Sequence, residues 1–78
     1  MTPVEAELRE LVAELVELDP ETLELNTPFP EAGIDSLLAM EIAVHVETRF
    51  GIRFSDAEVK SAQTIADLAA VVAEQSHA

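Results

Sequence analysis

The hydroxyl of Ser36 is the group in this sequence best placed to form a covalent bond. It sits in Gly33-Ile34-Asp35-Ser36-Leu37, where a proline-containing stretch gives way to a helix-forming one. Gly33 permits a turn with positive φ, and Asp35 is a good N-cap. Ser36 is then the first helical residue, at the positive end of the helix dipole, where a phosphate ester would be stabilised. A serine there equally serves as a plain helix-start residue, and spacing alone favours that plainer role. Nucleophilic catalysis is the weaker alternative. His45 lies nine residues further along the same predicted helix, roughly 13 Å along its axis, too far to form a triad with Ser36. His45 is expected on the exposed side, near Glu41 and Thr48, and His77 in the C-terminal tail. Cysteine is absent, which excludes disulfides and cysteine-based zinc sites. No Asp-x-Asp-x-Asp-Gly run marks a calcium loop.

The elements that must hold Ser36 read as helices. Thr2-Pro3-Val4-Glu5 is a capping box with proline at the first helical position. Val4, Leu8, Leu11, Leu15 and Leu18 then recur on one helical face, until Asp19-Pro20 ends the segment. Residues 19–35 hold Pro20, Pro28, Pro30 and Gly33 and read as a long loop with a short turn near Glu21 to Leu25. A loop of that length in a small domain is often functional. Leu23, Leu25 and Phe29 are expected to pin it to the core. The second helix starts at Asp35 or Ser36 and runs to Phe50, with Gly51 as its stop. Ser55-Asp56-Ala57-Glu58 opens a short helix to Ser61. Thr64-Ile65-Ala66-Asp67 opens the last one, whose apolar face is Ile65, Leu68, Ala69, Val72 and Ala73. The fold expected is all-α, a small bundle of three main helices and one short one.

The second helix carries two apolar stripes where a surface helix needs one. Ala39, Ile42, Ala43, Val46 and Phe50 make the longer and bulkier stripe and are assigned to the core. Leu37, Met40 and Val44 make the other, beside Glu41, Glu47 and Thr48. That stripe is expected to stay exposed, just past Ser36, for a partner. Methionine suits such a surface because it adapts its shape.

Composition bounds the partners. The chain has 78 residues, read as one domain spanning 1–78, and is 49% hydrophobic, enough to fold. Four basic and 16 acidic residues leave a net charge of −12. Such a surface repels nucleic acid and anionic membranes, and favours proteins with basic patches. Apolar runs fall far short of the roughly 18–20 residues of a membrane span, and no signal peptide is visible. The expectation is a soluble, monomeric, cytoplasmic protein.

From about Val4 to Gln75 the sequence closely resembles the acyl carrier protein family. The family motif Gly-x-Asp-Ser-Leu stands here as Gly33-Ile34-Asp35-Ser36-Leu37. The proline-rich loop before the serine, the acidity and Glu47 … Phe50-Gly51-Ile52 after it also agree. The resemblance implies a carrier rather than an enzyme. A phosphopantetheinyl transferase would attach 4′-phosphopantetheine to Ser36, with Asp35 and Gly33 in the cofactor-site motif. Leu37, Leu38, Met40, Glu41, Val44 and Glu47 would occupy the docking positions. The partners implied are that transferase and an acyltransferase, ketosynthase or adenylating enzyme with basic docking patches.

Two positions depart from carriers of primary fatty acid synthesis. Ala32 stands where those usually have leucine, and Leu38 where they usually have an acidic residue. Ser36-Leu37-Leu38-Ala39-Met40 looks more like peptidyl carrier domains, while Asp35 keeps the acyl-carrier pattern. The reading favoured is a freestanding carrier of polyketide or mixed polyketide–peptide biosynthesis. A peptidyl carrier and a carrier-like interaction module whose Ser36 is never modified are the alternatives. The resemblance implies a family in which the acyl chain often folds between the second and last helices; here Ala39, Ala43 and Ala69 are small, and small residues serve close helix packing equally well.

Overall fold

A computed structural model describes residues 2–75. The helix starts follow from local caps. Thr2 Oγ1 accepts from Glu5 N–H while the Glu5 carboxylate accepts from Thr2 N–H, and Pro3 opens α1 (Pro3–Val16). Asp35 caps α2 (Ser36–Phe50), which Gly51 closes in the left-handed conformation at φ 67°. Ser55 and Glu58 form the reciprocal box of α3 (Asp56–Ser61). At α4 (Ile65–Gln75) Thr64 Oγ1 accepts from Asp67 N–H, and the Asp67 carboxylate reaches back to Gln63 N–H. That box extends one residue further than the usual reciprocal pair. No strand occurs among the described residues.

Helix α1 ends earlier than the Asp19-Pro20 signal suggests. Glu17 adopts φ 57° and ψ 42°, and its N–H together with that of Leu18 turns back to Ala13 O and Glu14 O. This left-handed close takes Leu18 off the helical face, and Leu18 is exposed. The buried centre of α1 is Leu8, Val12 and Ala13, with Val4, Leu11 and Leu15 packed partly buried around it. Asp19 instead caps a short 3₁₀ turn, Pro20–Thr22, by accepting from Glu21 N–H.

The core is one cluster. Helix α1 packs chiefly on α4 and also on α2, through Leu8, Val12, Ile42, Val46, Ile65, Leu68 and Val72. Ala73 faces solvent rather than joining the α4 stripe. An exposed Arg49–Glu7 ion pair at 2.8 Å also ties α2 to α1; such pairs contribute little. The long loop is fastened at both the side chains expected and the backbone. Leu23 and Phe29 are buried and Leu25 is half-buried. Arg9 Nε donates to Pro20 O, Phe29 N–H to Gln63 O at 2.8 Å, and Ala66 N–H to Leu25 O at 3.0 Å. A second 3₁₀ turn, Phe29–Ala32, closes the loop immediately before the serine motif. Pro28 before it and Pro30 within it read as loop and concealed it from pattern reading.

Candidate functional site

The serine motif is positioned by one buried side chain and three backbone decisions. Gly33 ends the second 3₁₀ turn at φ 80° and ψ 18°. A Cβ there would meet nothing within 4 Å, so the glycine is required by backbone conformation and not by crowding. Ile34 follows with 2% exposure, its N–H donating to Phe29 O at 2.9 Å. Sequence reading gave Ile34 no role. The signal was there, because it is the sole large apolar residue between Gly33 and Asp35 in a polar turn. Asp35 then caps α2, its Oδ1 accepting from Leu38 N–H at 2.8 Å, and its carbonyl accepting from Ala39 N–H at 2.9 Å.

Because Asp35 does the capping, Ser36 does not. Ser36 is exposed at the first position of α2, and its hydroxyl has no hydrogen-bond partner among the described residues. The capping part of the plainer reading falls to Asp35. The side chain is an open hydroxyl on a rigid mount, beside the positive end of a helix of 15 residues.

Helix α2 divides its two stripes as expected. Ile42, Ala43 and Val46 are buried, with Ala39 and Phe50 packed partly buried against the core. Leu37, Met40 and Val44 are 69%, 57% and 58% exposed. Three of the four large apolar side chains exposed among the described residues thus share one helix face. Glu41 is exposed beside them. Two residues of the implied docking row are less exposed than the others. Leu38 turns inward and packs partly buried against the core. Glu47 is half-buried, and its Oε2 accepts from Phe54 N–H at 2.7 Å. His45 is exposed, and the described residues hold no cluster suited to a metal. His77 lies outside the described residues.

A groove of about 520 Å³ opens beside Ser36, between α2 and α3 and under the second 3₁₀ turn. This is within the range of small-molecule sites. Phe29, Ile34, Ala43 and Ala62 supply its buried surface, and Met40, Val44, Phe54 and Val59 its more exposed sides. Asp35, Ser36, Glu47, Asp56, Lys60 and Gln63 are the polar residues along it. The groove lies between α2 and α3, not between α2 and α4. Ala39 and Ala43 do line the groove, but Ala69 is buried in the core cluster instead. The reason is packing. Helix α4 packs on α1, with Ala69 buried in the core cluster, whereas α3 has no buried residue and lies beside α2 without filling the space.

Comparison with known proteins agrees with this geometry. A family model for the phosphopantetheine attachment site matches residues 6–72. The acyl carrier protein of Renibacterium salmoninarum is 41% identical over 69 residues, covering 87% of this chain and 85% of that one. Polyketide-8 synthase acyl carrier protein 2 of Streptomyces avermitilis is 41% identical over 56 residues, 70% of this chain and 64% of that one. The solved free-standing peptidyl carrier protein of Acinetobacter baumannii superposes with a TM-score of 0.81, covering 95% of this chain and 92% of that one. At 24% identity that last match speaks for the fold, an all-helical carrier bundle.

Proposed function

The chain belongs to the phosphopantetheine-attachment family, and on that premise we propose that Ser36 is the residue that takes the arm and that the cargo is acyl. The coarser statement needs no proposal: this is a carrier of acyl or peptidyl groups, not a catalyst, and phosphopantetheine is its cofactor. When bound, the group supplies a thiol that carries such groups as thioesters. The residues present fit it. The observation that carries the assignment is the Ser36 hydroxyl, exposed and unbonded while Asp35 takes the cap. No side chain need move to expose that oxygen.

Each neighbour has a part in this reading. Asp35 and Gly33 fix the start of α2, so the hydroxyl projects outward at every turnover. Leu37, Met40 and Val44 offer an apolar contact to a docking enzyme, and Glu41 an acidic one at its edge. The groove offers a short acyl chain an apolar place out of water. A net charge of −12 steers encounter with basic surfaces while leaving docking itself weak. The partners proposed are a phosphopantetheinyl transferase and an acyltransferase, ketosynthase or adenylating enzyme. Polyketide biosynthesis is the pathway favoured, supported by the Streptomyces relative, while Leu38 in place of an acidic residue speaks against primary fatty acid synthesis.

The test is intact mass after incubation with coenzyme A and a broad-specificity phosphopantetheinyl transferase. The chain is expected to gain one phosphopantetheinyl group and Ser36→Ala none. A folded chain that gains nothing would make it an unmodified interaction module. Loading trials with an acyltransferase against an adenylating enzyme then decide between acyl and aminoacyl cargo.

A further inference from the structure

The short connection between α2 and α3 is held by hydrogen bonds at four successive amides. Ile52 N–H donates to Glu47 O at 3.1 Å, Arg53 N–H to Gln75 Oε1 at 3.0 Å, Phe54 N–H to Glu47 Oε2 at 2.7 Å, and Ser55 N–H to Glu58 Oε1 at 2.9 Å. Gln75 Nε2 also donates to Arg53 O. These ties matter because α3 buries no residue of its own. Core packing on this side comes from the residues that flank α3, Ile52 and Ala62, with Phe54 packed against the same cluster, and not from α3 itself.

The bond at Phe54 differs from the rest. Both of its partners line the groove beside Ser36. It is partly buried and charge-assisted, and it bridges from α2 to the opposite side of the groove. Phe54 itself is half-buried and packs against the core cluster. Helix geometry places Glu47 in the row of α2 that leads toward a docking enzyme, yet its carboxylate is already engaged.

We propose that Glu47 is a positioning residue for the cargo: by accepting from Phe54 N–H it holds the Phe54 side of the groove against α2 and so sets how well an acyl group there is shielded from water. This rests on the reading that Ser36 bears the arm and the groove receives its cargo. It separates the acids of α2 by task. Glu41 is a free surface charge, whereas Glu47 acts inward, through the Phe54 backbone.

The experiment compares the wild type with Glu47→Ala and Glu47→Gln. A phosphopantetheinyl transferase loads each with an acetyl- or octanoyl-phosphopantetheinyl arm from the matching acyl-coenzyme A, the Ser36 oxygen displacing 3′,5′-ADP, and the thioester on the arm is then cleaved with hydroxylamine. The wild type is expected to shield octanoyl relative to acetyl. Glu47→Ala should cleave octanoyl about tenfold faster, the size of effect of one lost charge-assisted hydrogen bond, with little change for acetyl. Glu47→Gln should keep the shielding, since its amide oxygen still accepts from Phe54. Amide exchange on the unloaded chains reads the same bond directly. Phe54 N–H should exchange about tenfold faster in Glu47→Ala, with Val12 N–H unchanged as the sign of an intact core. Unchanged Phe54 exchange, or equal octanoyl shielding in wild type and Glu47→Ala, would overturn the assignment. A loaded wild type that fails to shield octanoyl refutes the groove's role and Glu47's with it. A wild type that accepts no arm refutes the carrier assignment of Ser36 and ends both.

Discussion

Replacing Asp35 and Ser36 in turn separates the helix cap from the attachment hydroxyl, because the structure gives the two tasks to two residues. In Asp35→Ala the bond from Leu38 N–H at 2.8 Å is lost, and the amide is left to water. Loss of an N-cap costs about 0.5–2 kcal/mol, typically about 1. In a domain of 78 residues each kcal/mol moves Tm by roughly 4–8 °C. Asp35→Ala should therefore melt about 4–8 °C lower. Asp35→Asn is the control, since asparagine caps as well as aspartate while removing the charge; it should stay within about 2–4 °C of wild type. Ser36→Ala removes a hydroxyl without partners and adds a better helix former, worth up to about 0.5 kcal/mol. It should hold or slightly raise Tm while abolishing modification. The assay is thermal unfolding by circular dichroism with intact mass on the same samples. A Ser36→Ala variant that lost as much stability as Asp35→Ala would place the capping function on the serine and refute the argument.

Further outcomes follow from single observations. Ile34→Ala, at a side chain 2% exposed, should cost about 2–5 kcal/mol and Ile34→Val about 0.5–1.5, measured by urea unfolding; a loss below about 1 kcal/mol for alanine would deny Ile34 its anchoring role. Glu17 holds a left-handed φ of 57°, so Glu17→Gly should stabilise by up to about 1 kcal/mol in the same assay, and a net loss would contradict that. Gly33→Ala should cost about 1–2 kcal/mol from backbone strain alone, since no neighbour obstructs a methyl group; a neutral result would mean the turn relaxes. The hydrogen bond from Thr2 N–H holds the Glu5 carboxyl below the usual carboxylate range. Its folded value lies below its unfolded one, so its contribution is present above the unfolded value and fades as pH falls through the folded one. The Tm difference between wild type and Glu5→Gln should accordingly change on acidification, in the direction that costs the wild type, and a pH-independent difference would refute it.

What the sequence determined by itself is what three or four adjacent residues determine. The caps at Thr2, Asp35, Ser55 and Gly51 locate helix ends because a cap is a hydrogen bond or a φ preference within one turn. The division of α2 into two stripes is likewise local, since it follows from a period of 3.6 residues, and the choice of the bulkier stripe as core held in the structure. The tertiary structure decided what no short window contains. Leu18 faces solvent because a left-handed residue ended α1 before the apolar period did. Ile34 is an anchor because its own loop, through Phe29 and Leu25, is tied to the start of α4, a distant part of the chain. The groove lies against α3 and not α4 because a groove is the space that packing leaves, and α1 claims α4 first. Glu47 looks like a surface acid in the sequence and becomes a tie in the structure, since its partner seven residues on comes within reach only after Gly51 turns the chain back.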